Sequence, residues 1–487
     1  MIADFFATIG LTGSHQYLLT RFCFQRALAF IYCIGFLGAL NQYRPLLGER
    51  GILPVGQFLQ RTQFWDHPSL FWANHSDRFV MAILGVGLAL AVVALSGLSE
   101  QFGLACSTIV WALLWVFYLS LVNVGQTWYA FGWESILLET GFLAIFLGSK
   151  GTAPPEIVIW LIKWVLFRIM FGAGLIKLRG DPCWRNLTCL VYHYETQPIP
   201  NPVSWYLHQG PVWFHKAGVL FNHFIELVVP FGIFFPHPIS TIAGSLIVLF
   251  QVILIVSGNL SWLNYLTLVL CIPCFSDTVL RRVLPLSVGT PAPLGLVRTG
   301  LLALLVCLIG WLSINPIRNM VSRRQLMNYS WDPFHLVGTY GAFGGITKAR
   351  NEIIIEGTSD DPRDPGARWI AYEFKAKPGD PRRRPAVVSP YHLRLDWLMW
   401  FAAMSDYRHH PWFLGLIHKL LEGDRRVLAL LATNPFPDAP PRFIRARLYR
   451  YRFSDPADER GGDWWRRTFI REYLPAHSLA AFRAPQQ

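Results

Sequence analysis

The sequence predicts a polytopic α-helical membrane protein of about nine spans, some of them re-entrant, followed by a C-terminal α+β domain that contains a sheet. Three observations predict it. The chain of 487 residues is 53% hydrophobic with only 15% charged residues, and it carries 20 Trp and 35 Phe, a balance too apolar for a soluble enzyme. Long apolar runs recur through residues 1–316, and β-forming segments take over in 317–487. The net charge of +13 is also uneven: 16 Lys and Arg stand against 12 Asp and Glu up to residue 316, and 27 against 18 beyond it. These two stretches are read as a transmembrane helical domain and a basic soluble domain.

Residues 1–20 lack a basic flank followed by a compact apolar core and a cleavage site, so the first span is expected to serve as the insertion signal. Apolar spans are placed near 22–42, 79–98, 104–124, 134–149, 156–178, 212–236, 239–257, 262–276 and 295–315. A straight crossing needs roughly 20 residues, so 134–149 and 262–276 are read as re-entrant or strongly packed. Nine crossings put the termini on opposite sides. Arg21, Arg26, Arg281 and Arg282 share the N-terminal side, which favours a cytoplasmic N-terminus and an extracytoplasmic tail, although Arg44, Arg50, Arg61 and Arg78 in the 43–78 loop run against that rule. On this topology the loops 43–78, 125–133 and 179–211 lie on the tail's side.

After Pro316, NEIIIEGT (351–358), RWIAYEFKAK (368–377) and RFIRARLYRYRF (442–453) read as strands. LRLDWLMWFAAM and PWFLGLIHKLLEGD between them have helical spacing. The segments 359–366 and 378–386 are rich in Pro, Asp and Arg and read as surface loops. The tail's arginines are interleaved with acids and lack a recognition motif, so they read as a solvated or headgroup-facing surface rather than a nucleic-acid site.

The chemistry concentrates in CWRNLTCLVYHYETQPIPNP (183–202), which sets Arg185, His193, Tyr194 and Glu195 between two apolar segments. Upstream, FRIMFGAGLIKLRGD places Arg168 and Lys177 in an otherwise apolar span. Downstream, VWFHKAGVLFNHFIEL adds His215, Lys216, His223 and Glu226, which fall within about 100° of one another on a helix. An ionised group at the centre of a membrane helix costs roughly 2.5–3.5 kcal/mol on insertion scales, so such groups face a polar interior or pair with one another. The expectation is a site between these helices. Lys177 either snorkels to the interface or points into a cavity as a base or anion anchor. His193 and Glu195 have side chains suited to acid/base work, or they fix the loop by hydrogen bonds. Glu134 and Glu139 in GWESILLETGF offer carboxylates to neutralise Arg168 or Lys177.

Cys183 and Cys189 flank the polar loop and are a disulfide candidate if it faces an oxidising compartment. Cys23, Cys33, Cys106 and Cys307 read as buried thiols. Cys271 and Cys274 form a CxxC at a membrane helix end without a second ligand pair, so no metal is expected there. Sequons occur at Asn74, Asn186, Asn259 and Asn328. No complete soluble catalytic signature is present, and no cofactor is called for.

GQTWYAFGWESILLETGF, CWRNLTCLVYHYETQPIPNPVSWYLHQGP, NHFIELVVPF and NYSWDPFHLVGTYGAFGGITKARNEIIIEGT resemble the lipase maturation factors over roughly residues 20–475. The resemblance implies a polytopic endoplasmic reticulum protein, in a bacterial host a plasma-membrane one, that assists lipases or other secretory clients. Its C-terminal domain would engage the client from the lumen. Trp331, Trp397, Trp464 and Trp465 are the exposed aromatics expected to hold the client, with membrane lipids as the other partner. More distantly, GLIKL followed by a tryptophan and a polar loop is similar to the transmembrane (HTTM) domain of vitamin K-dependent γ-carboxylases. That likeness implies a rival role, a membrane enzyme acting on a lipid, quinone or peptide with Lys177 as base and His193 or His223 assisting.

Overall fold

A computed structural model describes residues 13–14, 16–286 and 292–483. The helices that form the bundle are α1 (Leu18–Leu46), α2 (Asp77–Ser96), α3 (Leu104–Val124), α4 (Gly132–Ala144) and α5 (Glu156–Arg179). Two connector helices follow, α6 (Cys189–Thr196) and α7 (Pro202–His208), and then α8 (Val212–Leu227), α9 (Ile239–Ser257), α10 (Leu263–Cys271) and α11 (Leu296–Val321). Six of these, α1, α2, α3, α5, α9 and α11, are long and apolar enough to cross a membrane. The other three spans are shorter helices of 13, 16 and 9 residues. The stretch 212–236 breaks at Val228, and a separate turn, Val229–Gly232, starts with Pro230 near its beginning, where a proline lacks only a donor that would be unpaired anyway.

Two sets of contacts fix the ends of the bundle. At one end the backbone amides of Leu19 and Thr20 donate to Asp277 beyond α10 at 3.0 Å, and Gln25 donates to the carbonyl of Gly148 beyond α4 at 3.0 Å. At the other end Gln42 donates to His392 O at 2.7 Å, Asn123 to Pro333 O at 3.0 Å and Asn259 to Ala386 O at 2.7 Å. The loops after α1, α3, α5 and α9 therefore meet the tail, and the helices run alternately toward and away from it. Val92, Ile253 and Leu304 stay exposed on outward faces of α2, α9 and α11, as helices bounded by lipid require.

The tail carries a two-residue ladder, β1 (Tyr329–Ser330) with β2 (Gly338–Thr339), and a four-stranded antiparallel sheet. Its strands β3 (Arg350–Thr358), β4 (Ile370–Ala371), β5 (Phe443–Phe453) and β6 (Trp465–Ser478) lie in the order β4-β3-β5-β6. Helices α12 (Arg394–Ala402) and α13 (Pro411–Leu421) accompany them. The 351–358 and 442–453 segments form strands as expected, whereas only Ile370 and Ala371 of 368–377 join the sheet, and Phe374 makes an isolated bridge with Leu431. The long strand β6 was not predicted: arginines interrupt its alternation, and residues 466–472 are exposed because it is an edge strand.

Of the four tryptophans expected to be exposed, Trp331 is, but Trp397, Trp464 and Trp465 are buried. Trp397 packs on Phe131, Trp133 and His392, and Trp464 and Trp465 pack with Trp205 and Phe453. Phe131 and Trp133 of the bundle bury Trp397 and Trp205 of the connector buries Trp464, partners remote in sequence, while Phe453 of the neighbouring strand covers Trp465. Cys307 is likewise exposed on α11 rather than buried, while Cys271 and Cys274 are buried free thiols.

Candidate functional site

The site is built where α5 and α8 converge beneath the tail. Gly174 permits the approach, since a Cβ there would meet Leu227 Cδ2 at 2.7 Å and Glu226 Cβ at 3.0 Å. Gly172 and Gly180 do the same for the tail: a Cβ would meet Tyr340 O at 2.5 Å and Gly344 O at 2.1 Å, respectively. The glycines of FGAGLIKLRG thus let a neighbouring helix and a tail loop press against one helix, at the cost of the helix propensity that alanine would give.

Lys177 lies in the last turn of α5, where its ammonium pairs with Glu226 and donates to Asn222 Oδ1 at 3.1 Å. Asn222 in turn donates to Glu226 Oε2 at 2.9 Å, a pair one helical turn apart on α8. The indole of Trp184 covers Lys177, with Nζ 5.0 Å from the ring centroid. Lys177, Asn222 and Glu226 are all buried. They line, with His193 and Tyr194, a chamber of about 660 Å³ bounded by α4, α5, α6, α8, α9, α10, α12 and the 340–345 loop. Burial, followed by the charge of Lys177, pushes His193 down to about 4, so its imidazole is neutral at pH 7.

The other predicted residues fall outside the chamber. Glu195 turns away to the sheet, where it accepts from the backbone of Phe453 at 2.6 Å, and burial raises its carboxyl above the usual range. His223 Nε2 lies 3.1 Å from Trp184 O, fixing the covering indole rather than entering the chamber. His215 is buried against Tyr194. Arg185 and Lys216 are exposed, each projecting from the outer side of its helix. Cys183 and Cys189 form a disulfide that closes the loop carrying Trp184.

Two carboxylates expected to neutralise the span cations have separate partners. Glu139 pairs with Arg168 and accepts from Tyr340 Oη at 2.6 Å. Glu134 pairs with Arg394 of the tail at 2.8 Å and accepts from Tyr118 Oη at 2.5 Å, so it meets neither Arg168 nor Lys177. Arg394 also stacks 3.5 Å above the Tyr129 ring. A third buried cluster joins Arg350 and Lys377 to Glu352 at 2.6 and 3.1 Å. Arg350 donates as well to the carbonyls of Glu195 and Pro198, each at 3.0 Å. The proline-stiffened connector is thereby clamped to the sheet. Sequence reasoning missed Asn222, Arg350 and Arg394; the Asn222/Glu226 spacing was a usable signal, and the long-range pairs left none. Among the described residues no three His, Cys, Asp or Glu side chains are grouped to hold a metal.

Fold and site together define a polytopic membrane protein whose sheet-bearing tail is ion-paired into one end of its helical bundle, over a largely apolar chamber. Residues 19–282 match the model of the lipase maturation factor transmembrane domain, and residues 336–475 that of the lipase maturation factor C-terminal domain. The chain is 46% identical to lipase maturation factor 1 of Bos taurus, over 96% of this chain and 90% of that relative. It is 45% identical to lipase maturation factor 1 of Homo sapiens, over 96% and 89%, and 32% identical to lipase maturation factor 2 of Mus musculus, over 94% and 82%. No solved structure matches it. The chain belongs to the lipase maturation factor family.

Proposed function

We propose that this chain is a membrane-anchored maturation factor for lipases, in which residues 1–316 form the anchor and residues 317–487 hold the client on the extracytoplasmic side. Near-full-length similarity to proteins called lipase maturation factor 1 carries the reading. The membrane is that of the endoplasmic reticulum in a eukaryotic host and the plasma membrane in a bacterial one. The client surface assigned here is β6, an edge strand with Phe469 and Ile470 exposed. An unpaired strand edge offers main-chain donors and acceptors to an extended segment of another chain.

The test is co-expression of a secreted lipase with the full chain in cells lacking their own maturation factor. Wild type should restore secreted lipase activity, and the F469D/I470D variant should restore at least ten-fold less at equal protein level. Failure of wild type to restore activity contradicts the lipase reading, and full rescue by the variant moves the client surface off β6.

The rival, a membrane enzyme with Lys177 as base, draws support from the shared chamber of Lys177, His193 and Glu226. Against it stands the pairing of that ammonium with Glu226 and Asn222. Lys177→Met abolishing client maturation with expression and oligomeric state unchanged would favour the enzyme; reduced expression would mark the lysine as structural.

A further inference from the structure

The chamber contains more polar chemistry than its own ion pair uses. His193 and Asn264 are buried, line it, and make no side-chain hydrogen bond among the described residues. Its remaining wall is mostly apolar, with Met170, Phe221, Phe250, Leu254, Leu263 and Trp397 outweighing the polar Gln251, Ser257, Thr267 and Asn328. Buried polar groups are nearly always bonded, so two free ones facing an apolar space of about 660 Å³ call for a ligand with a polar end. Phe214 and Ile253 are 37% and 42% exposed, and Ala217 is exposed beside them, so the chamber opens between α8 and α9 on the outer flank of the bundle.

We propose that this chamber binds a neutral single-chain amphiphile, one long acyl chain bearing an uncharged hydroxylated head, as in a monoacylglycerol. The head would bond Asn264, His193 and the Lys177–Asn222–Glu226 cluster while the chain lies along the apolar wall. Neutrality follows from the charges present. Lys177 is the chamber's only cation among the described residues, and Glu226 already cancels it. A carboxylate or phosphate head would meet no free positive charge and would face the Glu226 carboxylate. Uncompensated burial of an ion costs several kcal/mol.

Lipase rescue without ligand binding would sink only this site, and ligand binding without rescue only the lipase reading.

The experiment uses the purified full chain in lipid nanodiscs with a photoactivatable monoacylglycerol and the matching fatty acid. Monoacylglycerol should label peptides of α8, α9 and α10, and excess unlabelled ligand should suppress the labelling. The fatty acid should give at most about a tenth of it. Ala217→Trp, whose bulk enters the mouth from an exposed position, and Asn264→Leu should each lower labelling at least five-fold. Labelling confined to the outer faces of α2 and α11, labelling that unlabelled ligand does not suppress, or equal labelling by the fatty acid would overturn the proposal. The suppression arm uses wild type alone and so does not depend on either variant folding.

Discussion

At the scale of single residues, buried ion pairs hold the molecule together. Glu134 and Arg394 are both fully buried, and removing one strands the other. Arg394→Met should therefore destabilise by about 3–5 kcal/mol, read as a lower unfolding temperature in detergent. The double variant Glu134→Leu/Arg394→Met should recover part of that loss, because no lone charge remains. His193 gives a pH dependence. Its folded value, about 4, lies below the ordinary 6.5, so the stability it contributes is complete above pH 6.5 and is lost as pH falls toward 4. A shift of that size amounts to about 3 kcal/mol. Stability measured between pH 7.5 and 4.5 should fall, and His193→Gln should flatten the slope. Lys177 and Glu226 were legible in the sequence because charge stands out in an apolar run. Asn222 and Asn264 were not, since amides carry no charge to flag them, and Arg394 was not, since its carboxylate lies in the other half of the chain.

At the scale of elements, the connector between α5 and α8 joins bundle to tail. Its Trp205 is buried among Trp464 and the aromatic residues of β5 and β6, and its indole donates to Ser454 O at 3.1 Å. Trp205→Ala should cost about 3–5 kcal/mol, and limited proteolysis should then cut within 197–211 before any other segment. The glycines of α5 make a second element-scale case. Gly174→Leu would drive a side chain into Leu227 and Glu226, and separation of α5 from α8 should appear as loss of the chamber's ligand labelling. Hydropathy made every bundle helix legible, short ones included, because the apolar run survives even where the helix is too brief to span. The sheet was half legible: β3 and β5 have β-branched and aromatic alternation, whereas β6 is an edge strand whose exposed arginines replace the apolar face a sequence reading looks for.

At the scale of the whole molecule, bundle and tail are one packed body rather than an anchor with a tethered domain. Aromatic and aliphatic side chains of the bundle helices and of α12 and α13 belong to a single core cluster, and three buried ion clusters cross or brace the junction. The connector and tail meet at one end of the bundle and line the chamber there, which puts both on one side of the membrane. Side-specific thiol labelling in intact cells tests it most directly, with single cysteines placed in an otherwise cysteine-matched chain at Asn186 in the connector, Arg382 in the tail and Lys150 at the far end of the bundle, all three exposed. An impermeant maleimide should modify the cysteines at 186 and 382 from the same side and the one at 150 only from the other. Modification of 186 and 382 from opposite sides would contradict a shared side for connector and tail.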